Sequence, residues 1–301
     1  MISFNFYSPE QKISLPDWQN KSIHVSVKRD DMIHPFISGN KWRKLKFNVE
    51  EALAQNKKHL VTFGGAWSNH ILATACAGAT FGFKTTAFLR SEEGINNPLI
   101  AMCRLFGMNL IYINRADYKD KRFLFNTHFG HDSQAYFIDE GGHGALGSKG
   151  CEEIITSLNE KYDHIFCACG TGTTVAGIQQ AVSVSGLKTE VHGIPVLKGG
   201  GFIKDEIQKI HPNSKPVTLH TEYHFGGYAK TKPELLQFVE KFVSNTGIMI
   251  EPTYTGKLFF AINDLIAKNY FKQDARILII HTGGLTGFLG MYERFNLDLD
   301  Q

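Results

Sequence analysis

The stretch HIFCACGTGTTVAG, residues 164–177, joins an apolar run to a glycine- and threonine-rich turn and then to a helical pattern. Glycines let backbone N–H groups converge, threonines add hydroxyls, and the positive end of the following helix favours an anion. The residues of this predicted phosphate cup are Gly170, Thr171, Gly172, Thr173 and Thr174. Their spacing differs from the dinucleotide fingerprint, because the third glycine, Gly177, comes too late. A turn without a ligand is the alternative that this stretch alone leaves open.

The same alternation of apolar runs and helical patterns extends along the chain. Runs typical of strands are 23–30, 59–65, 84–90, 108–114, 135–142, 164–169, 190–196 and 276–284. Helical patterns follow at 41–56, 68–82, 233–245 and 256–268. Strands that alternate with helices predict an α/β fold with parallel sheets, whose ligands bind at the carboxyl ends of the strands. The main glycine clusters lie at such ends.

The composition excludes several classes of protein. The 301 residues are 43% hydrophobic and 20% charged, with a formal net charge of +3, which is ordinary for a globular protein. The sequence has no basic stripe of the kind that would indicate a nucleic-acid partner. No apolar stretch is long enough to span a membrane, and residues 1–11 do not have the pattern of a secretory signal. The five cysteines form no C-x-x-C pair and predict buried thiols in a reducing, cytoplasmic setting. The 13 histidines are scattered without an H-E-x-x-H motif, so no metal site is predicted.

A second polar cup follows the strand pattern at 59–65. Ser68, Asn69 and His70 open a helix there, and a hydroxyl, an amide and an imidazole beside free backbone N–H groups suit a small carboxylate. The alternative is that Ser68 or Asn69 only caps the helix, which is the commoner role of these residues.

Four basic residues crowd the segment SGNKWRKLKF, residues 38–47. Lys41 follows Gly39 and Asn40 at the start of a helix, and a partly desolvated lysine there could lose its proton and condense with an aldehyde. Lys44 shares the helix face of Lys41, whereas Arg43 and Lys46 are expected to be solvated. The predicted apolar face of this helix consists of Leu45, Val49, Ala52 and Leu53.

Six motifs in order carry a resemblance that covers the chain from about Val27 to Gly287. They are SGNKWRKLKF, GGAWSNH, CGTGTTVAG, GGYAK, EPTYTGK and HTGG. Together they resemble the pyridoxal-phosphate enzymes of the 1-aminocyclopropane-1-carboxylate deaminase / D-cysteine desulfhydrase family. The resemblance implies a tryptophan-synthase-β-like fold of two open parallel-sheet lobes, residues 44–148 and residues 1–43 plus 149–301. Pyridoxal 5'-phosphate would lie between the lobes, and the protein would be a homodimer that acts on a small amino acid.

The resemblance also implies a role for each motif residue. Lys41 would form the Schiff-base bond to the cofactor, Asn69 would bond its ring hydroxyl, and residues 170–174 would hold its phosphate. Ser68, Asn69 and His70 would receive the substrate carboxylate, and Tyr228 and Tyr254 would line the substrate face of the cofactor ring. Ser68, Tyr228 and Tyr254 would serve in catalysis beside Lys41. Trp67 stands where the family commonly has glutamine, and it is expected either to line the substrate pocket or to pack between the lobes.

Two threonines favour one of the family's reactions. The deaminases are expected to have glutamate at the position of Thr255 and leucine at that of Thr282, and the desulfhydrases threonine at both. A hydroxyl leaves the pyridine nitrogen largely neutral, which suffices to expel a thiolate. The sequence therefore predicts α,β-elimination from a small D-amino acid such as D-cysteine, giving pyruvate, ammonia and sulfide. The alternatives are 1-aminocyclopropane-1-carboxylate deamination and, remotely, a cofactor-binding protein without turnover.

Overall fold

The computed structural model describes residues 6–92 and 94–295, which form two β-sheets flanked by helices. Each predicted strand run contains a strand, and each predicted helical pattern contains a helix, with ends that differ by a few residues. Within the described residues, no helix is both long and apolar enough to cross a bilayer.

The larger sheet has six strands in the order β1-β2-β10-β7-β8-β9. These strands are β1 (Glu10–Ile13), β2 (His24–Lys28), β7 (His164–Cys169), β8 (Glu190–Pro195), β9 (Thr218–Leu219) and β10 (Arg276–Ile280). All neighbours are parallel except β1, which pairs antiparallel with β2 at one edge. The two outer strands, β1 and β9, were not predicted, because short edge strands carry little apolar periodicity.

The smaller sheet has four parallel strands in the order β5-β4-β3-β6. They are β3 (His59–Gly65), β4 (Lys84–Arg90), β5 (Asn109–Ile113) and β6 (Ala135–Phe137). Both inner strands are buried along almost their whole length, as expected of a parallel sheet that is covered on both faces.

Nine α-helices connect these strands within the described residues. They are α1 (Asn40–Ala54), α2 (Asn69–Phe81), α3 (Pro98–Leu105), α4 (Lys121–Phe129), α5 (Ala145–Thr156), α6 (Thr173–Val184), α7 (Ile203–Ile210), α8 (Pro233–Thr246) and α9 (Thr255–Ala267). Helices on both faces of a sheet bury separate apolar layers, and α5 packs between α1 and α6. The predicted lobe boundaries at 43/44 and 148/149 fall inside α1 and α5, so the exact division remains a prediction.

The solvated position predicted for Arg43 is wrong. Its side chain is 1% exposed, and its guanidinium donates from Nε and Nη2 to the two carboxylate oxygens of Asp30, at 2.6 and 2.7 Å. Asp30 is itself fully buried. The predicted burial of Leu53 is also wrong, because this side chain is 38% exposed. Lys46 is half-buried and pairs with Glu153 at 2.5 Å. The buried apolar face of α1 consists of Leu45, Val49 and Ala52, as predicted, together with Trp42.

All five cysteines are buried and free, as predicted. Cys167 and Cys169 lie on β7, and Cys151 lies on α5, which packs against α6. Burial raises the pKa of the Cys169 thiol to about 12, so it is uncharged at neutral pH. These thiols behave as small apolar groups beneath the polar ends of the strands.

Candidate active site

The predicted phosphate cup lies where β7 ends and α6 begins. Gly172 precedes the helix with φ of +85°, a conformation that favours glycine and turns the backbone N–H groups towards one point. The hydroxyls of Thr171 and Thr173 lie 3.1 Å apart, and Nδ1 of His143 lies 2.9 Å from the Thr173 hydroxyl. The sequence analysis missed His143, whose other ring nitrogen lies 3.4 Å from a carboxylate oxygen of Glu206. In the sequence, only the glycine-rich segment before α5 pointed to a role for this histidine.

A tight turn places Lys41 beside this cup. Gly39 has φ of +60° and lies directly against the Thr282 carbonyl at the end of β10. The backbone N–H of Asn40 donates to that carbonyl at 3.3 Å, and the Asn40 amide Nδ2 donates to the Thr174 hydroxyl at 2.8 Å. Lys41 is therefore held between the carboxyl ends of β7 and β10.

Replacing Gly39 by alanine should destabilise this turn strongly. A Cβ atom at Gly39 would lie 1.9 Å from the Thr282 carbonyl oxygen, so the backbone of β10 or of α1 must shift. We expect the free energy of unfolding to fall by about 2–4 kcal/mol, the cost of overpacking added to that of a positive φ. The affinity for pyridoxal phosphate should fall as well. Urea unfolding and cofactor titration measure the two effects.

Gly82→Ala is the matched control for this substitution. Gly82 also has a positive φ, of +76°, but nothing lies within 4 Å of the added Cβ. It should therefore lose only about 1–2 kcal/mol and keep the cofactor affinity. Equal effects of the two substitutions would show that the close approach of Gly39 to β10 does not position Lys41.

The surroundings of Lys41 favour its neutral amine. Burial lowers the pKa of Lys41 to about 7, and the positive charge of Lys44 acts in the same direction. Nζ of Lys41 donates to the Asn40 side-chain oxygen at 3.0 Å. Lys44 is 4% exposed, its ammonium donates to the Gly141 carbonyl at 3.2 Å, and burial lowers its pKa too. A substantial fraction of Lys41 is thus unprotonated and nucleophilic at neutral pH.

The second cup opens helix α2, as predicted. The Ser68 hydroxyl accepts the N–H of Ile71 at 3.4 Å and so caps the helix. The preceding N–H groups, of Asn69 and His70, belong to the first turn, where no helical carbonyl is available to accept them. These two backbone donors can bind a carboxylate. Ser68 caps the helix, and its catalytic role stays a prediction.

The His70 side chain is poorly suited to bind a carboxylate. Thr62 donates its hydroxyl proton to the Ile138 carbonyl, so Nε2 of His70, 2.8 Å from that hydroxyl, is the donor in their contact. Burial, together with the charges of Lys41 and Lys44, holds the pKa of His70 well below its usual value. The imidazole is therefore neutral, and its buried Nδ1 has a lone pair without a partner among the described residues. That atom can accept a proton donor but cannot bind an anion.

Trp67 and Asn69 connect the smaller sheet to the segment after β10. The Trp67 indole lies flat against Gly290 and is 37% exposed. The Asn69 amide donates to the Gly284 carbonyl at 3.4 Å, and its oxygen accepts from the Thr286 hydroxyl. Of the two positions expected for Trp67, this geometry corresponds to packing between the lobes. Contact of Trp67 with a substrate stays a prediction.

Two tyrosine rings contact each other, and one of them, Tyr254, lies against the cup. The rings of Tyr228 and Tyr254 are nearly perpendicular, with centroids 5.9 Å apart. The Tyr254 ring packs on Gly170, where an added Cβ would lie 3.3 Å from its hydroxyl oxygen. Burial raises the pKa of Tyr254 well above its usual value, so this phenol is a proton donor at neutral pH.

The two predicted threonines differ in their surroundings. The hydroxyl of Thr255 is fully buried and accepts the N–H of Glu251 at 2.9 Å. Glu251, which the sequence analysis missed, accepts the N–H groups of Thr253, Tyr254 and Thr255 and so caps α9. In contrast, the Thr282 hydroxyl makes no hydrogen bond to any residue in 6–92 or 94–295. Of these two threonines, therefore, Thr282 is the one whose hydroxyl is available to a ligand.

Comparison with known proteins identifies the family. A family model described as pyridoxal-phosphate dependent enzyme matches residues 8–283. The chain belongs to this family of pyridoxal-phosphate-dependent enzymes.

Relatives of this pyridoxal-phosphate enzyme support a narrower grouping. The bifunctional D-cysteine desulfhydrase/1-aminocyclopropane-1-carboxylate deaminase of Arabidopsis thaliana is 31% identical, over 95% of this chain and 78% of the relative. A D-cysteine desulfhydrase of Serratia proteamaculans is 27% identical, over 92% and 91%. A crystal structure described as an ACC deaminase homologue is 26% identical, with a TM-score of 0.83 over 97% of this chain and 94% of that one. The predicted tryptophan-synthase-β-like α/β fold and the predicted cofactor are confirmed.

The residues at the strand ends fit pyridoxal phosphate. The cup at 170–174 offers hydroxyls and helix N–H groups to a phosphate, and Lys41 offers a neutral amine a short distance away. Within the described residues, Nδ1 of His70 is a buried atom without a hydrogen-bond partner, and the Thr282 hydroxyl at the end of β10 makes no hydrogen bond. A polar ring between the lobes would find partners there.

Proposed function

We propose that this enzyme catalyses α,β-elimination from a small D-amino acid, with D-cysteine as the model substrate. The products would be pyruvate, ammonia and sulfide. The observation that carries this proposal is the free hydroxyl of Thr282 at the end of β10, beside the turn that holds Lys41. Thr255 is a weaker candidate for the pyridine nitrogen, because Glu251 already engages its hydroxyl.

The choice of reaction follows from the charge of the group that faces the pyridine nitrogen. A carboxylate there would hold the nitrogen protonated and strengthen electron withdrawal, whereas a hydroxyl leaves it largely neutral. Opening a strained carbon ring without a good leaving group needs the stronger withdrawal. Expelling a thiolate does not, so the hydroxyl favours elimination.

Each protein group then has a defined task. Pyridoxal phosphate supplies the electron sink that stabilises negative charge at the substrate Cα. Lys41 removes the Cα proton, since its lowered pKa leaves the amine free to accept it at neutral pH. The backbone N–H groups of Asn69 and His70 hold the carboxylate, and the phenol of Tyr254, which stays protonated, can donate a hydrogen bond to the leaving sulfur.

A second function has specific support. One relative is named for both activities, and the similar solved structure is described as an ACC deaminase homologue. We therefore retain 1-aminocyclopropane-1-carboxylate deamination, which gives 2-oxobutyrate and ammonia, as the alternative. A homodimer remains an expectation from the family resemblance, and a cytoplasmic location remains an expectation from the unpaired cysteines. Size-exclusion chromatography with light scattering tests the first.

A substrate panel on one preparation distinguishes these functions. With D-cysteine we expect pyruvate and sulfide in equal amounts, at a kcat/KM at least about 100-fold above that for 1-aminocyclopropane-1-carboxylate, or roughly 3 kcal/mol of transition-state preference. L-cysteine is the matched control for the configuration at Cα. Release of 2-oxobutyrate without sulfide would establish the alternative. A cofactor-loaded protein that turns over neither compound would overturn the proposed substrate class.

A further inference from the structure

Three histidines and one glutamate form a row across the neighbouring strands β7, β8 and β9. His164 and Glu190 are the first residues of β7 and β8, and the register of the two parallel strands places them side by side. His192 lies two residues beyond Glu190, so its side chain emerges from the same face of the sheet. His220 follows β9 and lies next in the row.

Three ligand atoms of this cluster point at one another. Nδ1 of His164 lies 3.0 Å from Nε2 of His192, and one carboxylate oxygen of Glu190 lies 3.6 Å from each of these nitrogens. A triangle with these edges has a centre about 2.0 Å from each corner, which matches the Zn–N and Zn–O bond lengths. A tetrahedral ion would lie slightly above the plane of the three atoms.

We propose that His164, Glu190 and His192 bind one divalent transition-metal ion, with zinc as the best match. Two imidazoles and one carboxylate suit zinc in both softness and number, and they exclude calcium and magnesium, which take oxygen ligands. The Glu190 side chain is 63% exposed and leaves an entry path, so water can supply the fourth ligand.

The surroundings fix the two imidazoles in place. Nδ1 of His192 lies 3.2 Å from Nε2 of His220, the position of an outer partner that orients a metal-binding imidazole. The His192 ring stacks on Phe166 with centroids 4.2 Å apart and an angle of 7°. The His164 ring meets the edge of Phe271 at 5.2 Å. Neither ring needs to move far to bind an ion.

This site is separate from the cofactor cleft. His164 begins β7, whereas the phosphate cup begins at Gly170, after the last residue of the strand, which places the two roughly 20 Å apart along the strand. An ion here would join β7 to β8 at the end of the sheet farthest from the chemistry. We therefore expect it to raise stability without entering the elimination reaction.

Zinc titration of the cofactor-loaded, full-length protein tests this proposal. After treatment with a chelator and dialysis, isothermal titration with zinc chloride should show one site per chain, and the melting temperature should rise. Glu190→Gln and His164→Gln should each weaken zinc binding at least about tenfold, since each removes a ligand. X-ray absorption at the zinc edge should show two imidazoles and one oxygen from the protein.

Two exposed positions provide matched controls. His24 is the exposed first residue of β2 in the same sheet, and Glu240 is an exposed carboxylate on α8. His24→Gln and Glu240→Gln should leave zinc binding unchanged. The proposal is overturned if zinc does not bind, or if the ligand variants bind it as well as the controls do; the cluster is then an uncharged histidine chain only. Neither result depends on which amino acid the enzyme turns over.

Discussion

Replacing Lys41 by alanine is expected to abolish turnover and to remove the visible absorbance of the lysine-bound cofactor. The same amine would anchor pyridoxal phosphate and move the Cα proton, so its loss removes both functions. We expect kcat/KM to fall by at least about 10⁴-fold, the upper range for a proton-transfer group. Steady-state pyruvate release and an absorbance spectrum of the purified protein measure the two effects.

Lys46→Ala is the matched control, because Lys46 lies on the same helix. Its ammonium pairs with Glu153, and the two side chains are partly exposed, at 23% and 31%. This variant should keep the absorbance band and turnover within about twofold, because a surface pair contributes little. A Lys41→Ala protein with normal colour and activity would contradict the assignment, whereas loss in both variants would point to damage to helix α1.

Replacing Arg43 by methionine is expected to destabilise the protein by about 3–5 kcal/mol, because it leaves the Asp30 carboxylate buried without its partner. Both side chains are at most 1% exposed, and two hydrogen bonds join them. Asp30 also accepts the Ser8 hydroxyl at 2.6 Å, which cannot neutralise its charge. Urea unfolding at pH 7 measures the change in the free energy of unfolding.

Two further variants distinguish the effect of breaking the ion pair on stability from the effect of removing any arginine. Arg115→Met removes an exposed arginine and should change the free energy of unfolding by less than about 0.5 kcal/mol. Adding Asp30→Asn to Arg43→Met should recover part of the lost stability, since the uncompensated charge disappears. Wild-type stability of Arg43→Met alone would contradict the buried pair.

The layout of the fold could be predicted because its inner strands are continuous apolar runs. The strand β3 was predicted at 59–65 and occupies the same residues, and α8 was predicted at 233–245 and ends one residue later. Parallel strands that are buried on both faces have a strong signal, and glycines mark their ends. The six motifs then predicted which segments of the chain contribute residues to the site.

Single side-chain environments could not be predicted, because they depend on distant partners. Arg43 lies among other basic residues, and nothing local shows that Asp30 approaches it from before the helix. Likewise, Thr255 and Thr282 are equivalent in the sequence, and only the capping carboxylate of Glu251 separates them. The sequence also does not show that the Thr62 hydroxyl contacts the His70 imidazole and determines which ring nitrogen carries the proton.

The histidine cluster shows the same limit. His164 and His192 are 28 residues apart and match no metal-binding motif, so the sequence predicted no metal site. Sheet register, which the sequence does not specify, brings their nitrogens to 3.0 Å. Sites built across neighbouring strands are therefore harder to predict than sites built within one turn.

Mapping the lysine that carries the cofactor tests the central claim most directly. Borohydride treatment of the cofactor-loaded enzyme makes the bond between cofactor and lysine permanent, and peptide mass spectrometry then locates the label. We predict a single labelled peptide that contains SGNKWRK, with the label on Lys41 and none on Lys44, whose side chain is buried nearby. Lys257, in the first turn of α9, is the other buried lysine near the site, and burial lowers its pKa to about 8. A label on Lys44 or on Lys257, or no labelled lysine in a yellow protein, would contradict this account of the site.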